Sequence, residues 1–237
     1  MFELQSSCQD CLHCSTRIHS LFSVLNSEEI AILQKQKTHV TLDCGETLFK
    51  EGQYPPGFYI ITKGKLKYSK FGFEKREQII RFAKEGDVVG YRSFIGEESY
   101  NCTAIAISEV CLCFLKHDLI QQLFKSNSDL PFQFMKVLAN DLKTSETKIL
   151  HLTQNTVRER IAESILLLAE FYGTEDDGIT INVSLKRDEL AGIAGTIRES
   201  AIRTLYEFNE SNIIELTGKK IKILDAQKLQ RIANASL

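Results

Sequence analysis

The spacing of apolar residues changes character twice along the chain, and each texture predicts a different architecture. Leu21 to Gln36 reads as a short helix, with Glu28 and Glu29 after Ser27 placing acids in a first turn, where they suit the helix dipole. From Val40 to about Leu115 the apolar runs shorten and become β-branched or aromatic: Thr47-Leu48-Phe49, Phe58-Tyr59-Ile60-Ile61, Ile79-Ile80 and Cys102 to Ile107. Glycines at 45, 52, 57, 64, 72, 86, 90 and 96 punctuate them. Many short strands between glycine turns predict an all-β barrel or jelly roll.

Beyond Lys116 the strand pattern stops. Asp118 to Phe124 predicts a short helix, and Ser128-Asp129-Leu130-Pro131 opens a long one with proline near its first turn. In that helix Met135, Leu138, Leu142, Ser145, Ile149 and Leu152 fall at alternating spacings of three and four. This is an a/d seam with one uncharged polar interruption, the pattern of a two-stranded coiled coil. A helix packed on its own domain fits the same short seam. Asn155-Thr156 then caps a helix from Val157 to about Tyr172, apolar at Ile161, Ile165, Leu168 and Ala169. Gly173 to Gly178 is an acidic turn, and Ile179 to Val183 alternates like a short strand.

The stretch from Lys186 to Leu205 carries the most information. Leu190, Ile193 and Ala194 mark the inner face of a short helix, and Gly195 supplies a left-handed stop. Thr196 is placed to cap a second helix that buries Ala201, Ile202 and Leu205. Two short helices joined by a glycine turn make a helix-turn-helix. Asn212 turns the chain into Ile213 to Leu216, Gly218 and Lys219 to Leu224, a hairpin with basic residues around its tip, hence a wing. Arg198, Glu199 and Arg203 lie toward the leading end of the second helix, the part that enters a major groove. Arginine bonds guanine O6 and N7 and glutamate accepts from cytosine N4. Thr196, Ser200, Arg187, Lys219 and Lys220 complete the candidate DNA-contacting set. Thr196 and Glu199 are also spaced as a capping box, a purely structural use of the same residues.

Composition narrows the function classes. At 237 residues the chain can hold two modest domains, and a net charge of −2 argues against indiscriminate nucleic-acid coating while leaving room for a basic face. No apolar run reaches membrane-spanning length, and the start MFELQSSCQDCLHC lacks a secretory signal's basic and apolar regions, so a cytoplasmic protein without a membrane partner is expected. No Ser/His/Asp order, phosphate-cradling glycine loop or two-histidine metal motif suggests an enzyme. The odd count of seven cysteines, at 8, 11, 14, 44, 102, 111 and 113, points to thiols, metal or a cluster rather than a disulfide framework.

Taken in order, these segments resemble the CRP/FNR family of bacterial transcription regulators. Gly45-Glu46-Thr47-Leu48-Phe49-Lys50-Glu51-Gly52, Phe58 to Leu66 and Glu85-Gly86-Asp87-Val88-Val89-Gly90 look like the family's β-roll, and Arg198-Glu199-x-x-x-Arg203 resembles the recognition helix of its CRP branch. The resemblance implies an α+β fold: an N-terminal β-roll (a cyclic-nucleotide-binding-like jelly roll), a long dimerisation helix and a C-terminal winged helix-turn-helix. The expected divisions are a cysteine-rich segment 1–20, a β-roll sensor 21–127, a dimerisation helix 128–154 and a DNA-binding domain 155–237. It further implies a homodimer reading palindromic double-stranded DNA, with RNA polymerase as partner.

Cyclic-nucleotide-binding members carry Gly-Glu and a following Arg after this glycine. Here Tyr91 follows Gly90 and Asn101 stands near the expected arginine, so a cyclic nucleotide is not expected. Cys8-x-x-Cys11-x-x-Cys14 suits three thiolates on one face of a cubane, and FNR-type oxygen sensors are similar in adding one β-roll cysteine. Cys111 is the expected fourth ligand to a [4Fe-4S] cluster, with Cys113 the close alternative on the same side of the strand. The spacing departs from the familiar FNR pattern, which has its third cysteine where this chain has Arg17. Zinc, redox-active thiols and unliganded cysteines remain alternatives, as does a small effector in the β-roll or no signal at all. Cys44 and Cys102 are expected as buried small hydrophobes.

Overall fold

The computed structural model describes residues 10–72 and 77–234, so Cys8 lies outside the described residues. Contacts divide the chain into two compact units: the described parts of Met1–Lys70 and Ile80–Leu142, and those of Phe71–Ile79 and Lys143–Leu237.

The first unit is the expected β-roll. Strands β1 (Thr38–Leu42), β2 (Thr47–Phe49), β3 (Gly57–Lys63), β4 (Leu66–Phe71), β5 (Glu77–Ala83), β6 (Val88–Val89), β7 (Thr103–Ala106) and β8 (Val110–Lys116) form two four-stranded sheets, ordered β1-β8-β3-β6 and β2-β7-β4-β5. In the first sheet β8 is central, pairing antiparallel with β1 and β3, so that Cys113 faces His39 on one side and Ile60 on the other. Alternation along β8 splits the core: Cys113 and Leu115 join one apolar cluster, Val110 and Leu112 the other. Gly64 turns β3 into β4 at φ +89, and a Cβ there would meet the Glu109 carbonyl at 2.1 Å, so only glycine fits.

Around the sheets lie α1 (Ser15–Ile18), α2 (Ser27–Gln36), α3 (Tyr91–Ile95), α4 (His117–Ser126) and the first part of the long α5 (Asp129–Gln154), whose residues from Lys143 belong to the second unit. The single helix expected from Leu21 to Gln36 is broken: a 3-10 turn, Leu21–Val24, precedes α2. The break comes from Asn26, whose side chain accepts from the Glu29 N–H while the Glu29 carboxylate accepts from the Asn26 N–H. Glu29 is buried rather than a surface acid. Burial pushes its carboxyl up, but bonds from Asn127, the Asn26 backbone and Ser126 outweigh that and hold it below its usual value. The expectation for Cys44 is corrected: it sits exposed in the turn after β1, and Cys102 is only half-buried.

The second unit holds α6 (Val157–Tyr172), α7 (Arg187–Ala194), α8 (Arg198–Glu210), the hairpin β9 (Ile214–Thr217) with β10 (Lys220–Ile223), and a closing helix α9 (Ala226–Ala233) that the sequence reading did not anticipate. Thr156 caps α6 in a full capping box with Glu159. The expected strand Ile179–Val183 forms only isolated bridges, Thr174 to Ile181 and Thr180 to Lys222. Its first amides are diverted: the Asp177 carboxylate accepts from the Ile179 and Thr180 N–H groups, an Asx turn in place of a ladder.

Candidate nucleic-acid interface and thiol centre

In the second unit α7 and α8 meet at Gly195, which adopts φ +61, ψ +45, the left-handed stop expected of it. Arg160 locks this turn from α6: its guanidinium donates to the carbonyls of Ala194 at 3.0 Å and Gly195 at 3.4 Å, and to those of Leu152 and Asn155. One arginine thereby satisfies carbonyls left open at two helix ends. α8 is seated by Ala201, Thr204, Leu205 and Phe208, all buried, while Ile202 is only half-buried.

That seating leaves Arg198, Glu199 and Arg203 exposed, with Ser200 half-buried beside them. Arg198 lies 3.8 Å from the Asp188 carboxylate, both side chains exposed, a pairing that solvent makes weak. Arg203 makes no ion pair with a described residue. The capping expectation for Thr196 is corrected: α8 begins one residue later, with Ile197 at the cap position and no side-chain cap bond. The Thr196 N–H instead bonds the Ala191 carbonyl, continuing the turn out of α7, so Thr196 and Glu199 are out of register for a capping box.

The β9–β10 hairpin turns at Gly218 with Lys219 exposed at its tip. Lys220 is turned inward onto Glu175, and Lys222 lies 3.6 Å from Glu215, so Lys219 is the exposed cation of the wing turn. Arg187 is half-buried and donates to the Gly218 carbonyl at 2.8 Å, which ties α7 to the wing. Burial holds its guanidinium below the usual arginine value.

In the first unit, Cys11, Cys14 and Cys113 line one small cavity with Thr16, Arg17, Leu33, Lys37, Ile60, Thr62 and Leu115. Cys11 is held by its backbone N–H, which bonds the Gln34 side chain at 2.7 Å, and its carbonyl accepts from Arg17 at 2.6 Å. Of the two strand cysteines, Cys113 lines the same cavity as the N-terminal pair, and Cys111 is not among its lining residues. His39 approaches the Cys113 sulfur at 4.0 Å, and burial, with a further push from Lys37, lowers the imidazole's pKa. Among the described residues no three His, Cys, Asp or Glu side chains stand close enough to hold a metal ion. The donors around the cavity are nonetheless thiols without a carboxylate, the set that soft metals and iron–sulfur clusters take, with Arg17 and Lys37 as the cations among the lining residues.

A third cluster lies between the β-roll and α5 within the same unit. One oxygen of Asp141 accepts from Arg81 at 2.9 Å, from Arg92 Nε at 2.9 Å and from the Tyr91 hydroxyl. Burial raises the Asp141 carboxyl, but the Tyr91 bond and the two guanidiniums outweigh it and hold the group below its ordinary value. Sequence reading missed Asp141. The available signal was its place on the inward stripe of α5, seven residues after buried Phe134 and eleven after buried Leu130.

The six seam positions of α5 behave as a set. Met135, Leu142, Ser145, Ile149 and Leu152 are exposed and Leu138 half-buried in the single chain.

Comparison with known proteins gives two family matches. Residues 39–127 match the cyclic nucleotide-binding domain and residues 159–232 the Crp-like helix-turn-helix domain. The CRP-like cAMP-activated global transcriptional regulator of Mycobacterium tuberculosis is 28% identical over 214 residues, covering 90% of this chain and 96% of that protein. The fumarate and nitrate reduction regulatory protein of Vibrio cholerae is 26% identical over 234 residues, covering 97% and 91%. Among solved structures, a transcriptional regulator of the Crp/Fnr family from Eubacterium rectale superposes with a TM-score of 0.77 at 17% identity, covering 90% of this chain and 97% of that one. At that identity the likeness speaks for the fold.

Proposed function

The chain belongs to the CRP/FNR family of DNA-binding transcription regulators, and from that premise we propose that it works as a homodimer that reads a palindromic duplex through α8 and is gated by a thiolate centre in its N-terminal unit. The observation that carries the DNA reading is the presentation of Arg198, Glu199 and Arg203 on the exposed side of a seated α8, with Lys219 exposed on the adjoining wing. Arg198 and Arg203 suit guanine edges, Glu199 suits a cytosine amino group, and Ser200, Thr196 and Lys219 suit phosphates. Arg187 and Lys220 act at one remove, by holding the wing against α7 and the acidic turn. The apolar seam on α5 supports a dimer, since burying Met135, Leu142, Ile149 and Leu152 takes a second copy. A two-fold dimer reads inverted half-sites about one helical turn apart, and RNA polymerase is the partner on which such a regulator acts.

For the signal, Cys11, Cys14 and Cys113, with Cys8 as the remaining thiol of the segment, would hold a [4Fe-4S] cluster or zinc. Bound there, a cluster would supply a centre that oxygen or nitric oxide degrades. Gln34 and Arg17 anchor the Cys11 loop to α2 and the 3-10 turn, so a change at the thiols would move the packing of those elements. A cyclic nucleotide is not proposed, because Tyr91, Arg92 and Arg81 are spent on Asp141.

The test is selection from a pool of randomised duplexes with protein purified without air. An inverted repeat among the selected sequences is expected. A single unpaired half-site would overturn the dimer, and no enriched sequence would overturn the DNA reading.

A further inference from the structure

Several cations of the C-terminal unit are engaged. Lys220 and Lys222 meet Glu175 and Glu215, Arg198 meets Asp188, and Arg160 is used on four carbonyls. Three are not. Arg158 in the first turn of α6 and Lys228 and Arg231 on α9 line a shallow surface depression with Thr156, Glu159 and Ile232. All three cations are exposed, and none makes an ion pair with a described residue. Arg158 is oriented instead by stacking over the Phe208 ring at 5.3 Å. The one acid lining the depression, Glu159, accepts from the Thr156 N–H at 2.7 Å, so its carboxylate is turned to the helix cap. In a chain whose net charge is −2, this local surplus is a feature of placement.

Its position relative to α8 suggests the occupant. Arg160, two residues after Arg158, grips the turn that leads into α8, so the start of α6 adjoins that turn. Phe208, on which Arg158 stacks, lies ten residues beyond Arg198, about 15 Å along the helix axis. A major groove is about 12 Å wide. With Arg198 at the base edges, Arg158 is tied to α8 at Phe208, beyond the stretch offered to the bases. Resting on the DNA reading above, we infer that Arg158, Lys228 and Arg231 form a second, sequence-blind contact that takes the phosphodiester backbone outside the bases read by α8.

Each phosphate neutralised contributes about −0.9 to the slope of log affinity against log salt. The experiment uses the full chain, the duplex chosen by the selection above, and fluorescence anisotropy across 50 to 200 mM salt (about a fourfold range). The double variant Lys228→Gln/Arg231→Gln should flatten the slope by about 2, so that it loses roughly tenfold less affinity than the wild type over that range. Its ranking of operator variants should be unchanged. Arg158→Gln should flatten the slope by about 1, and Arg158→Lys, which keeps the charge without the planar stack, should retain it. An unchanged slope in the double variant overturns the inference, and so does a slope change accompanied by altered base preference. A wild type that selects no duplex would instead overturn the DNA reading itself, and the two failures are thus distinct.

Discussion

Arg203 is exposed, unpaired by any described acid and set one helical turn from Glu199, so its contribution can be isolated by substitution. Arg203→Ala is expected to cost about 1–3 kcal/mol of specific binding and relax one base position. Competition among operator variants measures this, and unchanged discrimination would remove Arg203 from the reading set. Asp141 offers the other residue-scale test. Its folded-state pKa lies below the ordinary 3.8, so the tie contributes stability that is fully present above that value and lost as pH falls through the lower folded one. The thermal midpoint gap between wild type and Asp141→Asn should therefore hold from pH 7 to about 5 and shrink below about 4. A gap insensitive to acid would mean that the carboxylate's charge is not what Arg81 and Arg92 hold. The two differ in legibility: Arg203 was legible because helix periodicity puts it outward, whereas the partners of Asp141 come from β5 and α3, far away in sequence.

At the scale of elements, the turn at Gly195 joins the two helices of the DNA-reading motif under a steric limit. Its φ of +61 disfavours any side chain, and a Cβ would meet the Leu152 side chain at 2.6 Å. Gly195→Val should destabilise by more than the roughly 1–2 kcal/mol of the backbone penalty alone, read by urea unfolding. At the opposite side of Arg160, Thr156→Ala removes the α6 cap bond and should cost about 1 kcal/mol without altering base preference. Elements with strong local signals came through from sequence: α4, α5 and α6 start close to where proline and capping residues put them, and Gly195 and Gly218 mark turns. Elements decided by side-chain competition for backbone groups did not. Asn26 and Glu29 split the first helix, Asp177 diverted the expected strand, and the Thr196 N–H joined the end of α7 rather than starting α8. α9 went unread although Asp225 as a capping residue and the helical spacing of Leu229, Ile232 and Ala233 gave it a local signal.

At the scale of the whole molecule, the seam on α5 makes association the simplest global prediction. Leu142→Glu/Ile149→Glu places charges at two a/d positions and should shift the protein from dimer to monomer in sedimentation, with specific DNA affinity lost in step. A variant that remains dimeric would assign the seam to another role. Protein purified without air should carry about four iron and four acid-labile sulfide per chain if the thiolate centre is a cluster. Cys113→Ser should then abolish it while Cys111→Ser leaves it intact; the reverse result would return the fourth ligand to Cys111. By itself, the sequence determined the order of β-roll, long helix and winged helix-turn-helix, the outward face of α8 and the apolar seam, because period, glycine turns and capping residues act over a few neighbours. Only the tertiary structure decided which cysteine of β8 lines the cavity beside the N-terminal pair, which anion Tyr91 and Arg92 serve, and that Arg158 shares a surface with Lys228 and Arg231. Those pairings join residues distant in the chain, and they are fixed by how strands and helices pack rather than by any local preference.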